Sequence, residues 1–107
     1  MDSDLVLVLT TLPPTADAAA FARTLVEERL AACVNVLPEM RSIYRWEGEV
    51  QDEPERQVVI KTSAVVADAL VRRIGELHTY ETPEAIVLPI TAGAESYLAW
   101  IREATEI

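Results

Sequence analysis

Cysteine occurs once, at Cys33, so the chain can form no internal disulfide and a disulfide-stapled secreted scaffold is excluded. Glycine is nearly as scarce. Gly48, Gly75 and Gly93 stand far apart, which removes the P-loop, the dinucleotide-binding glycine fingerprint and the nucleophile elbow. Positive charge is short as well: nine basic residues, eight of them arginine, face eighteen acidic ones and leave a formal charge of −9. Nucleic acid is therefore not an expected partner, because phosphate binding takes clustered lysine and arginine. No apolar run is long enough to cross a bilayer, so no direct membrane insertion is expected. The acidic start, Met1-Asp2-Ser3-Asp4, lacks the positive charge and apolar length of a signal peptide, and a cytoplasmic location is the expectation. HxxxH, CxxC and an Asp-rich calcium loop are all missing, so no metal site announces itself by spacing.

What is present is a chain that is half hydrophobic, which reads as one globular domain over residues 1–107. Its organising stretch is Ala31 to Thr62, a long β-hairpin. Cys33, Val34, Val36, Leu37, Ile43, Tyr44 and Trp46 give the first arm β-branched and aromatic content. Glu47-Gly48 is the turn, and Val50 with Val58-Val59-Ile60 marks the return. An extended arm from Cys33 to Trp46 spans roughly 45 Å at ~3.3 Å per residue, against a radius of gyration of ~13 Å for a domain of about this length. The hairpin must bend or reach past its own domain. Pro38 calls for a bulge partway along the first arm, and Pro54 argues against a regular central strand on the return. Apolar area around Ile43 to Trp46 then lies where a monomer cannot cover it.

The other elements follow from short patterns. Leu5 to Leu9 is a buried central strand closed by Thr10-Thr11-Leu12-Pro13-Pro14. Thr15 is the expected N-cap of a helix with Ala18, Phe21, Ala22, Leu25 and Val26 on one face, ending near Leu30 or Ala31. Ser63 is the expected N-cap of a second helix carrying Val66, Leu70, Ile74 and Leu77. A last strand runs from Ala85 to Ile90, at a sheet edge because of Pro89. Ala94 to Thr105 forms a terminal helix burying Tyr97, Leu98, Ile101 and Trp100. The order is β-α-β-β-α-β plus a helix, an α+β ferredoxin-like sandwich with the first and third strands central. Its long first hairpin arm and the Pro89 strand are the edges.

Chemistry-bearing residues gather after the second helix. His78, Tyr80, Glu81 and Glu84, with Lys61 closing the third strand, suit acid–base work or metal binding. They equally suit a helix-terminating turn whose polar groups satisfy exposed backbone. Cys33 is either a soft metal ligand or, more plainly, a buried small hydrophobe at a strand start. Five carboxylates between Glu47 and Glu55 read as a solvated tip. Tyr44 and Trp46 fit a subunit interface or a stacked ligand.

Taken together, Leu30-Ala31-Ala32-Cys33-Val34-Asn35-Val36-Leu37-Pro38, Ser42-Ile43-Tyr44-Arg45-Trp46-Glu47-Gly48 and Ile60-Lys61-Thr62 resemble the CutA divalent-cation tolerance family. So do His78-Thr79-Tyr80-Glu81-Thr82-Pro83-Glu84, Leu88-Pro89-Ile90 and Tyr97-Leu98-Ala99-Trp100-Ile101, and the match runs the whole chain in order. The resemblance implies a non-enzymatic, homotrimeric, ferredoxin-like protein related in architecture to PII signalling proteins and associated with tolerance of copper and other divalent cations. On that reading Ile43, Tyr44, Trp46 and Trp100 line the trimer interface. No cofactor is required, and Cu(II) or another divalent cation is the implied metal. Some bacterial members carry a thiol at the end of the first strand and a His-His pair after the second helix. Here Thr10 and Leu77 occupy those positions, so the metal role falls to His78, with Cys33 as the one further candidate. Thr79 replaces the proline usual in the family's HPYE-type motif. The alternative is a PII-like module binding a small metabolite or anion at inter-subunit clefts, lined by Lys61, Tyr80, Glu81 and Glu84 with Trp46 from a neighbouring subunit. A third is an enzyme using His78, Tyr80 and Glu81.

Overall fold

The computed structural model describes residues 4–106. Strand β1 (Leu5–Leu12) is followed by α1 (Ala18–Glu27), β2 (Cys33–Trp46), β3 (Glu49–Ser63), α2 (Ala67–Leu77), β4 (Ile86–Pro89) and α3 (Glu95–Ala104). The strands form one sheet in the order β2-β3-β1-β4, every pairing antiparallel. This is the ferredoxin-like α+β order expected from the sequence, with β1 and β3 central. β1 continues to Leu12 rather than stopping at Leu9, because Thr10, Thr11 and Leu12 stay paired with Val58, Gln57 and Arg56.

Alternation along the strands sorts the side chains onto two faces. Val6, Val8, Leu12, Val58 and Ile60 pack against Ala18, Phe21 and Leu25 of α1 and Leu70 and Ile74 of α2. On the opposite face Leu5 meets Ala32 and Ile101, so α3 covers one end of the sheet. Deleting a side chain such as Ile74, which is fully buried, costs about 2–5 kcal/mol by cavity formation.

Helix boundaries differ from the sequence expectation for local reasons. Asp17, not Thr15, caps α1: its Oδ1 accepts from the Ala20 N–H at 3.0 Å. The helix closes at Glu27, because Arg29 takes φ 60°, a left-handed conformation that ends the α-helical run. Ser63 caps nothing with its side chain and hydrogen bonds the Thr105 hydroxyl instead, tying the end of β3 to the end of α3. In α3 only Ile101 is buried. Contrary to expectation Tyr97 and Trp100 stay more than two-fifths exposed, their rings 5.4 Å apart.

The hairpin is the long feature. Trp46 pairs with Glu49 across a two-residue turn in which Glu47 (φ 51°) and Gly48 (φ 81°) are both left-handed, the turn that matches strand twist. Register slips between Val36 and Glu39, placing a bulge at Leu37-Pro38 where the proline required one. Pro54, by contrast, does not interrupt β3. It pairs with Arg41 beyond Leu12↔Arg56, the last β1 pair, so the ribbon there has a strand on one side and the missing N–H breaks no central ladder. The ribbon carries the longest dimension of the molecule to 43 Å, against 29 and 23 Å across. Among the described residues no helix is long and apolar enough to cross a membrane.

Candidate functional site: an acidic aromatic cleft under the hairpin

Pairing across the ribbon fixes which side chains share a face. Met40↔Glu55, Ser42↔Glu53 and Trp46↔Glu49 are partners, so the even positions of β2 and the odd positions of β3 point one way. The connector between α2 and β4 folds back against that face. Together they enclose an open cleft of about 610 Å³, a size suited to a small ligand. Tyr80, Glu81 and Glu84 line it together with Trp46 of the same chain, where the sequence reading drew Trp46 from a neighbouring subunit, alongside Tyr44, Glu53, Glu55 and Gln57.

The connector is held by His78. Its Nδ1 accepts from the Tyr80 N–H at 3.0 Å, which leaves the proton on Nε2, 2.6 Å from the Thr11 carbonyl that accepts it. Both ring nitrogens are therefore spent on backbone groups, and the ring sits 4.5 Å from that of Tyr80. A metal at His78 must displace one of those bonds. Tyr80 in turn donates its hydroxyl to Glu55 Oε2 at 3.0 Å, and Tyr44 donates to Glu53 Oε1 at 3.1 Å. Gln57 closes the floor, donating to Thr10 O at 2.7 Å and Glu84 Oε2 at 3.0 Å.

Electrostatics follow from the carboxylates. Burial first, then the hydrogen bond to Glu55, pushes the Tyr80 phenol up to about 12. Tyr44 is raised by its partial desolvation and by Glu53 and Glu55. Both phenols stay protonated donors at neutral pH.

Two expected site residues lie elsewhere. Lys61 pairs with Leu7 and Cys33, four residues along β1 from Thr11, or roughly 13 Å at ~3.3 Å per residue. Its ammonium stands 5.7 Å over the ring of Tyr97, away from the cleft. Cys33 is at that same end, half-buried rather than buried, with Sγ 3.8 Å from Asn35 Oδ1. One chain thus does not bring Cys33 and His78 together, and among the described residues no three His, Cys, Asp or Glu side chains are grouped to hold a metal ion. Thr10, at the position where some relatives of the resembled family carry a thiol, is fully buried, and its Oγ1 has no hydrogen-bond partner among the described residues. Sequence reading missed Glu53, Glu55 and Gln57. Their signal was the alternation with Pro54, Arg56 and Val58, which assigns them one face but not what covers it.

Comparison with known proteins decides the family. Residues 6–104 match the model of the CutA1 divalent ion tolerance protein. The chain belongs to the CutA1 family. It is 46% identical to the divalent-cation tolerance protein CutA of Thermus thermophilus over 92% of its own length and 96% of that protein's. Against the chloroplastic CutA of Arabidopsis thaliana identity is 39% over 94% of the chain, which spans about half that relative's length (55%). The crystal structure of CutA from Xylella fastidiosa superposes with a TM-score of 0.92 at 42% identity, covering 97% of this chain and all of the other. Divalent cation tolerance, the family's role, is the functional class of this CutA1 chain.

Proposed function

We propose that the chain serves divalent-cation tolerance as a non-enzymatic, cytoplasmic protein whose working unit is a homotrimer. The observation that carries this is the uncovered ribbon. β2 is a sheet edge, and Ile43 (69% exposed), Val50 (64%) and Trp46 (49%) stand on it and its partner strand only partly covered by their own chain. An edge of that length and apolarity is a pairing template, and copies of the chain are the occupant that keeps it soluble. Tyr44 on β2 and Trp100 on α3 are further large side chains left exposed, at 39% and 42%. The enzyme reading has little support, since His78 directs both nitrogens to backbone atoms rather than to the cleft.

In this reading a divalent cation such as Cu(II) meets His78 weakly, because coordination costs one backbone hydrogen bond. Calorimetric titration with Cu(II) of the parent and of His78→Ala tests it. A small heat that vanishes in the variant supports the reading, and equal heats in both overturn it. The cleft favours a second reading, a PII-like module that binds a small ligand beneath the hairpin. A metabolite thermal-shift screen yielding a specific stabilising compound supports that reading.

A further inference from the structure

We draw no further inference here: the strongest candidate, the apolar surface patch at the β4 edge of the sheet where Ile86, Val87 and Leu88 stand exposed, carries nothing because nothing in the structure shows what covers it.

Discussion

Replacing His78 by alanine separates a structural clasp from a free ligand. The ring makes two part-buried hydrogen bonds, one to the Thr11 carbonyl at 2.6 Å and one from the Tyr80 N–H at 3.0 Å. Each such bond contributes about 0.5–1.5 kcal/mol net, so their joint loss costs about 2 kcal/mol. For a domain near 100 residues, 1 kcal/mol moves the melting temperature by about 4–8 °C, which places the expected drop at about 8–15 °C. The assay is metal-free thermal denaturation followed by circular dichroism, at one protein concentration because assembly makes the midpoint concentration-dependent. The Tyr80 side chain, released from its anchor, should also titrate closer to the ordinary phenol value of 10.0. A melting temperature changed by less than about 2 °C would refute the reasoning. His78 would then be an idle imidazole awaiting a ligand.

Two pH responses follow from the charges. Asp4, Glu28 and Asp52 are each held below their ordinary carboxylate values of 3.8 or 4.5, chiefly by hydrogen bonds from Arg102, Arg73 and Arg41. Depressed folded values stabilise the protein above the unfolded range and lose that contribution as pH falls through the folded values. The urea midpoint should therefore decline below about pH 4.5 with an unchanged slope, and a flat profile down to pH 3 counts against these pairs. For Tyr80 the sign is reversed: its value is raised to about 12, so its contribution is complete below pH 10 and disappears between pH 10 and 12. Alkaline difference absorbance should show a phenol titrating near pH 12 in the parent that is missing in Tyr80→Phe.

Much of the architecture was legible because it rests on local chemistry. Apolar runs, Pro38, Glu47-Gly48 and Pro89 each dictate a strand, bulge, turn or edge with little help from distant residues. The misreadings occur where a distant element intervenes. Glu55 looks like part of a solvated tip until the His78–Glu84 connector folds over it, and nothing in β3 itself encodes that cover. Lys61 looks adjacent to the connector, but antiparallel pairing sends Lys61 to the Leu7 end of the sheet and Gln57 to the Thr11 end. Tyr97 has the spacing of a core residue in α3, yet the half-open face it approaches holds Lys61, and its ring ends beside the ammonium. His78 was recognised as chemically able. Its occupation by two backbone groups depends on the path of the main chain, which side-chain spacing does not reveal.

The central claim is that the ribbon is covered by other copies of the chain. Size-exclusion chromatography with multi-angle light scattering at micromolar concentration tests it most directly. A covered ribbon gives a single species at three times the 11.8 kDa of one chain. A well-folded particle with the mass of one chain would contradict it.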